Sequence, residues 1–509
     1  MILKALYDYY NRCGKDIAPL NWAYVPFFYS IVLNIEGKFL RLEPLGGKEG
    51  LPLLTFRPEE RTSAPLPHCM GDNGSYILGL KEVKDTDGFD FNSEFKKNHK
   101  NFMAFKNEVE RVYKTLPNNK FAKAIHLFYQ NYDNNPIAID IIRQDNNWKD
   151  FCKALSKNIT FSIGGNEGYA ACDKEIINER IKSKINNNKE TICLITGTKG
   201  RPVNTTYSSF IIGGKSNAKL VAFQINSGYD SYGKRMGLNA PISEEEEFKY
   251  TTAILKLLSK DSHNKFRIGN RTFVFWASSN DEAAGQAENS LFDLLGYSEN
   301  EDGDPNAKIE QVRKVFTSIY SGVLKTKLED RFYILGLAPN AARIAVVYWS
   351  ETSLKDFAGM ILMHFRDMEI ADTRKDKKPY MGIKDILSAV TLGGKQSETT
   401  PNLPEAVAKS IFQGTAYPYT LFSACIRRIR AECGDNGANR IARIAIIKAY
   451  LNRQNDNNKK IEPMLDKNNT NQGYLCGRLF AVLDRIQEDA NNNNSIRERY
   501  MNAASSTPS

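Results

Sequence analysis

The stretch Arg331-Phe332-Tyr333-Ile334-Leu335-Gly336-Leu337, followed shortly by Ile344-Ala345-Val346-Val347-Tyr348-Trp349, decides the fold class. Both runs are short and dense in aromatic and β-branched residues, the composition of a strand that packs on a pleated, half-buried surface. Upstream, Thr191 to Ile195, Ser208 to Ile212, Lys219 to Gln224 and Arg267 to Trp276 have the same character, and Glu244 to Leu258 interrupts them with helical patterning. Downstream, strand signals cease at about Pro401, and helical periods dominate until the Asn-rich Asn491 to Asn494. The expectation is an α+β chain: a large mixed N-terminal region with small sheets and helical inserts over 1–395, then a helical C-terminal bundle over 396–509. The border is placed by Gly393-Gly394 and Thr399-Thr400-Pro401.

Toward the N-terminus, Ile2, Leu3, Leu6, Tyr7 and Tyr10 recur at helical spacing and predict an amphipathic helix ended near Gly14. Phe27 to Ile35 and Lys38 to Leu42 flank Glu36-Gly37 and read as a hairpin. A stretch rich in Pro, Gly and basic residues runs from Pro44 through Arg57-Pro58, Arg61-Thr62 and Pro65-Leu66-Pro67 to Cys69-Met70-Gly71-Asp72-Asn73-Gly74, and a strand is expected at Tyr76-Ile77-Leu78. Such a segment is too long to be a mere connector. Phe95 to Asn158 reads as a mostly helical insert, and no internal repeat is evident.

With 509 residues, 41% hydrophobic and 25% charged, the chain has ordinary globular composition and length for about three domains. Lys and Arg outnumber Asp and Glu by 69 to 59, a net charge of +10 that suggests a polyanionic partner. The eight cysteines form no C-x-x-C pair, which predicts reduced, mostly buried thiols and no zinc ribbon. No apolar run reaches the roughly 18 residues of a membrane helix, and Met1 to Tyr10 lacks the build of a signal peptide, so a cytoplasmic location away from membranes is expected.

Several apparent motifs dissolve on inspection. Ser209-Phe-Ile-Ile-Gly-Gly-Lys-Ser216 nearly matches a phosphate-binding P-loop, but Ser209 replaces the first glycine and an apparent strand follows where a helix is required, so a hairpin turn is expected. Asp85-Thr86-Asp87-Gly88-Phe89-Asp90 is similar to a calcium loop with its glycine at the fourth place instead of the sixth, and reads as a solvated turn. The five histidines, His68, His99, His126, His263 and His364, stand far apart and outside any metal motif. The carboxylate run Glu244 to Glu247 follows Ser243 and suits the first turn of a helix. With no catalytic constellation, the chain is not expected to be an enzyme or to hold a metal or cofactor.

Three features point to binding instead. Leu421 to Arg453 carries seven basic residues, Arg427, Arg428, Arg430, Arg440, Arg443, Lys448 and Arg453, against two acidic ones, Glu432 and Asp435. Ile441, Ile444, Ile447 and Leu451 would form a buried stripe there, leaving the i, i+3 pairs Arg427/Arg430 and Arg440/Arg443 to track phosphates, the alternative being a solvated, ion-paired helix face for which few acids are at hand locally. In Gly71-Asp72-Asn73-Gly74, glycines let the backbone approach a ligand, and the Asn73 amide can donate to minor-groove acceptors, although an Asn-Gly turn leading into the expected Tyr76 strand is the reading these residues favour by themselves. The loop Asn226 to Arg235, with Lys199 and Arg201 upstream, interleaves Gly, Tyr and basic residues, suited to stacking on bases and to phosphate contacts, although turn and core packing explain the tyrosines almost as well.

Across nearly its whole length the chain resembles the large subunit of the type I-C CRISPR Cascade surveillance complex. The resemblance is carried by Met1-Ile2-Leu3-Lys4-Ala5-Leu6 with Tyr9-Tyr10, Arg61-Thr62-Ser63, Asp72-Asn73 with Tyr76-Ile77-Leu78-Gly79, Leu220-Val221-Ala222-Phe223, and Ser231-Tyr232-Gly233 with Leu238-Asn239-Ala240-Pro241. It continues through Phe275-Trp276-Ala277, Leu337-Ala338-Pro339-Asn340 with Arg343, Gly414-Thr415-Ala416-Tyr417-Pro418, Arg428-Ile429-Arg430, Lys448 to Arg453 and Tyr474 to Leu483. Two departures stand out. Ala222-Phe223-Gln224 replaces the usual Ser-Phe-Asn. Relatives also usually continue past Ala503 to Pro508 into helices resembling the small subunit, so this chain is expected either to be truncated or to be completed by a separate chain.

The resemblance implies a non-catalytic subunit that recognises the protospacer-adjacent motif in duplex DNA, helps form the R-loop and recruits the helicase-nuclease. Implied partners are CRISPR RNA, target double-stranded DNA, and the Cascade backbone, handle-binding and small subunits. Gly71, Asp72, Asn73, Gly74, Lys199, Arg201, Lys234 and Arg235 are the expected motif and duplex contacts. Arg427, Arg430, Arg440 and Arg443 are the expected contacts to the displaced strand. The competing readings are a metal-dependent nucleic-acid enzyme whose carboxylates converge only in three dimensions, and a scaffold that does not read DNA.

Overall fold

A computed structural model describes all residues except 62–63, 85–87, 134–135, 166–167, 185–187, 226–229, 231, 295–304, 372–380, 396–397, 432–436, 455–459 and 492–509. The calcium-like turn at Asp85 to Asp87, much of the loop from Asn226, the acids Glu432 and Asp435 and most of the Asn-rich run therefore lie outside the described residues. The chain forms two compact units, one from Leu3–Ser209 and Val221–Ile254, the other from Phe210–Leu220 and Leu255–Ser509. Helices and several small sheets make it an α+β protein.

The first unit opens with α1 (Ile2–Cys13), which ends at Gly14 with φ +55° as its spacing predicts. Strands β1 (Trp22–Phe27), β2 (Tyr29–Leu33), β3 (Phe39–Pro44), β4 (Leu51–Phe56) and β5 (Gly71–Asp72) follow, then α2 (Gly74–Ile77). Next come α3 (Phe91–Thr115), α4 (Lys120–Asn131), α5 (Ile139–Ile142), α6 (Trp148–Ala154), β6 (Ile159–Ile163), α7 (Lys174–Ser183), β7 (Thr191–Ile192), β8 (Lys199–Gly200) and α8 (Glu244–Leu258), whose residues from Leu255 onward count with the second unit. The expected hairpin is β2/β3, and the main sheet has the order β3-β2-β6-β5. Because β2 and β6 run parallel, the chain between them must cross over, and α3 to α6 make that crossing while covering the sheet. Every residue of β2 and β6 is buried, and Ile31 and Phe161 share a core with Phe105 of α3 and Phe128 of α4.

The second unit is built on an antiparallel sheet of order β12-β11-β10-β9, from β9 (Lys265–Ile268), β10 (Arg271–Ala277), β11 (Arg331–Asn340) and β12 (Arg343–Ser353). Between β10 and β11 lie α9 (Glu282–Leu294) and α10 (Pro305–Ser321). After β12 come α11 (Leu354–Met368), α12 (Ile383–Ala389), α13 (Leu403–Phe412), α14 (Tyr419–Ala431), α15 (Gly437–Gln454) and α16 (Gln472–Asn491). Phe332 of β11 stacks on Phe357 of α11 at 4.2 Å between ring centroids. Leu403, Val407, Leu421, Ala445 and Ile446 from α13, α14 and α15 belong to the same core as that sheet.

Three local expectations are corrected. Tyr76-Ile77 turns into α2, because Asn73 caps the backbone at the point where a strand was expected to start. Ser208 to Ile212 and Lys219 to Gln224 form no strand among the described residues: no neighbour offers them a ladder beyond a single bridge from Lys219 to Arg343, and Gly213 (φ +87°) turns the chain between them, so the P-loop look-alike is a turn without a hairpin. In α15 the stripe is rotated. Ile444 is 41% exposed, while Ala442, Ala445, Ile446 and Ala449 are buried together with Arg443 and Lys448. Small alanines let the helix approach its neighbours closely, and the two cations find backbone acceptors inside.

Candidate nucleic-acid interface

The Gly71–Gly74 segment is fixed from both sides. Gly71 and Asp72 pair with Thr160 and Ile159 of β6, and a Cβ at Gly71 would lie 2.6 Å from the Phe27 ring. Asp72 is fully buried and its carboxylate is spent: Oδ1 accepts from the Asn73 amide at 2.8 Å, and Oδ2 accepts from the His68 amide at 2.9 Å and from Arg61. Arg61 in turn lies over the Tyr76 ring, 4.1 Å from its centroid, and donates to the Leu66 carbonyl at 2.9 Å. Burial pulls the His68 ring down to about 4, against the opposing pull of Asp72, so it is neutral at neutral pH. Asp72 and the two glycines therefore shape the loop, and Asn73 is the residue of this segment with donor capacity left.

Asn73 is half-buried and caps α2. Its Oδ1 accepts from the Ser75 amide at 3.0 Å and from Ser75 Oγ at 2.6 Å. An amide N–H requires an oxygen, so this pair of bonds fixes which way the side-chain amide points. The Nδ2 group has no hydrogen-bond partner among the described residues.

The second cluster joins two segments of the first unit. Lys199 and Arg201, in and just after β8, are exposed, as are Lys234 and Arg235. The segments meet through their backbones: Gly237 donates to the Asn204 carbonyl at 3.0 Å, Val203 to Ile242 at 2.9 Å, and Leu194 to Pro241 at 2.9 Å. A Cβ on Gly237 would stand 1.9 Å from the Val203 oxygen, so only glycine permits this approach. Asp230 Oδ1 accepts from the Met236 amide and from Asn239 Nδ2, both at 3.0 Å, which closes the base of the loop. Lys199, Lys234 and Arg235 form no ion pair among the described residues.

The C-terminal arginines divide. Arg427 and Arg430 are exposed on α14, and Arg440 is partly exposed on α15. Arg443 is only 3% exposed, and its Nε donates at 2.7 Å to the carbonyl of Ala389, the last residue of α12. It is therefore not on the surface ridge expected of it. Lys448 donates to the Arg366 carbonyl in the last turn of α11 at 3.2 Å. Arg453 donates to the Ser410 carbonyl in the last turn of α13, to Thr415 at 2.6 Å, and to Asp367 at 2.7 Å. Three cations of the basic segment thus satisfy carbonyls that helix ends leave without intrahelical partners, where their charge also complements the helix dipole. Sequence reasoning missed these roles because the acceptors belong to backbone far away in the chain, and it missed the Arg61 clamp for the same reason.

Several other reactive side chains are committed to structure. In the carboxylate run, Glu247 pairs with Arg57 at 3.2 Å, and Glu246 accepts from the Thr196 and Thr198 hydroxyls at 2.6 and 3.1 Å. Burial pushes the thiols of Cys69 and Cys425 up to about 12 and that of Cys172 to about 11, so none is a thiolate at neutral pH. Burial brings His364 down to about 3. Its Nε2 faces the Met381 carbonyl at 3.1 Å and must carry the proton, leaving Nδ1 to accept from the Tyr417 hydroxyl at 2.6 Å. Among the described residues no three His, Cys, Asp or Glu side chains group to hold a metal, and no helix is long and apolar enough to cross a membrane.

The family model described as CRISPR-associated protein (Cas_Csd1) matches residues 6–509. None of the curated proteins matches the chain.

Proposed function

Since the chain belongs to the CRISPR-associated Csd1 family, the large subunits of type I-C Cascade, we propose that it recognises the protospacer-adjacent motif in duplex DNA, without chemistry of its own. The observation that carries this reading is Asn73. Its oxygen is engaged by Ser75, its orientation is thereby fixed, and its Nδ2 donor is left over in a loop braced by Asp72 and Arg61. A donor held this way suits adenine N3 or thymine O2 in a minor groove. Lys199, Arg201, Lys234 and Arg235 supply the sequence-independent attraction to phosphate that positions the duplex. Arg427, Arg430 and Arg440 would hold the displaced strand, with Arg443 positioning α15 from inside.

This division of labour, protein reading a short motif and guide RNA reading the rest, also calls for contacts to the CRISPR RNA, the other Cascade subunits and a helicase-nuclease, and is suited to the cytoplasm. The test is a gel-shift series with the assembled complex on correct and scrambled motifs. Asn73→Asp keeps the acceptor for Ser75 and removes the donor, so it should erase the preference between the two duplexes. An unchanged preference returns Asn73 to the role of helix cap alone.

A further inference from the structure

Tyr232 is 98% exposed, the most exposed large hydrophobic side chain among the described residues, and it sits at φ +51°, in the left-handed region that a bulky side chain rarely enters. Packing does not explain it, since the ring buries almost nothing. Local preference does not explain it either, since glycine or asparagine would adopt this backbone at lower cost. The chain on either side of it is tied down. Asp230 grips the Met236 amide and Asn239 Nδ2, Asn239 also donates to the Met236 carbonyl at 3.1 Å, and Gly237 is locked against Val203. Residues in costly backbone conformations persist where the surroundings over-determine them, and they cluster at active sites, ligand clamps and switch regions.

The surroundings specify the ligand's chemistry. Lys234 and Arg235 follow within three residues, both exposed and without an ion pair among the described residues, and Lys199 is on the segment tied to the loop. Asp230, the one acid between Asn226 and Arg235, is occupied with the loop's own backbone. An exposed aromatic face bordered by cations matches a flat, apolar face that carries phosphates. Resting on the DNA-binding reading above, we infer that Tyr232 is a stacking platform for an unpaired nucleobase, with Lys234 and Arg235 on the flanking phosphates. Paired bases inside a duplex hide their faces, so the ring selects single-stranded segments, while the two cations serve the phosphates of duplex and single strand alike.

The experiment uses the full-length chain, with fluorescence anisotropy on a single-stranded oligothymidine, a blunt duplex and a single-stranded RNA of the same length. Tyr232→Asn tolerates the left-handed backbone while removing the ring, and Tyr232→Phe keeps the ring without the hydroxyl. Thermal melts confirm that both variants fold. Tyr232→Asn should weaken the single-stranded complex about tenfold and leave duplex binding within about twofold, whereas Tyr232→Phe stays near wild type. A loss on RNA and not on DNA supports the same stacking with the guide as its source. Wild-type-like single-strand affinity in Tyr232→Asn overturns the platform, and a Tyr232→Phe defect as large as that of Tyr232→Asn overturns stacking in favour of the hydroxyl. A wild-type chain that binds none of the three oligonucleotides overturns the DNA-binding reading itself, an outcome distinct from the others.

Discussion

Two cation-rich regions look alike in sequence and differ in structure. The loop pair carrying Lys199, Arg201, Lys234 and Arg235 holds its cations in solvent, on backbone tied together by Gly237 and Asp230. The basic segment around α15 draws Arg443, Lys448 and Arg453 inward, onto the final carbonyls of α12, α11 and α13. Charge density alone therefore does not separate a surface for polyanions from an internal cap. What decides is whether helix ends lie within reach, since each leaves carbonyls unsatisfied and a negative pole that a buried cation can answer. The two regions should respond in opposite ways to neutralisation: one loses stability, the other loses salt-sensitive binding.

The sharpest break of that contrast is Arg453→Met. Its side chain is 7% exposed and paired with Asp367, which is 14% exposed. Removing one partner of a buried pair costs about 3–5 kcal/mol, and the Ser410 and Thr415 carbonyls also lose a donor. Urea denaturation should show a loss of that size, with Arg443→Met losing about 1–3 kcal/mol for its bond to the Ala389 carbonyl. A neutral Arg453→Met would mean that the cation is not needed as an internal cap.

Second in size is a pH effect confined to the same unit. His364 is held neutral with its pKa brought down to about 3, against about 6.5 in an unfolded chain. Between those values the unfolded state binds a proton that the folded state refuses, so this contribution is intact above about pH 6.5 and is lost as pH falls toward 3. The slope reaches about 1.4 kcal/mol per pH unit. His364→Gln removes the titrating group and should flatten the stability profile between pH 6 and 4, whatever it does to stability at pH 7. A slope equal to wild type would assign the acid sensitivity to other groups.

The contrast also marks how far the sequence was legible. Elements whose partners are near in the chain came through: α1 with its Gly14 stop, the β2/β3 hairpin, α8 over its full length, and the paired strands at Arg331 and Ile344. Features set by distant backbone did not. Ser208 to Ile212 has strand-like residues but no sheet edge to join, and the helical face of α15 is dictated by alanines and by carbonyls on α11 and α12 that no window of residues contains. Within the candidate interface, glycine, asparagine and exposed cations were readable by type. The Arg61–Asp72 clamp that braces Asn73 was not, because residues 61 to 72 carry no periodicity that would announce it.

Third comes Asn73, where stability and recognition separate. Asn73→Ala deletes the cap on α2, which costs about 1 kcal/mol of stability. It also deletes the Nδ2 donor, which should cost about 1–3 kcal/mol of binding on a correct motif and less on a scrambled one. Asn73→Asp should recover most of the stability and none of the motif preference. Thermal melts and gel shifts on the same preparations resolve the two effects, and a variant that regains both together would show that the cap alone is what matters.

The smallest effect belongs to the exposed cations, and its value lies in what stays constant. Lys234 carries no ion pair among the described residues and lies in solvent, so Lys234→Gln leaves no buried group unsatisfied and should not move the urea midpoint measurably. If its ammonium sits on a phosphate, binding releases one counterion fewer in the variant. The plot of log affinity against log salt then flattens by about one unit, equally for correct and scrambled motifs. Affinity near physiological salt falls only a few-fold, and the gap to wild type closes as salt rises. Arg443→Gln offers the mirror image, with a lower midpoint and an unchanged salt slope for whatever fraction stays folded. Should Lys234→Gln instead lower the midpoint, or Arg443→Gln flatten the slope, the line drawn between an internal cap and an outer surface would run through the wrong residues.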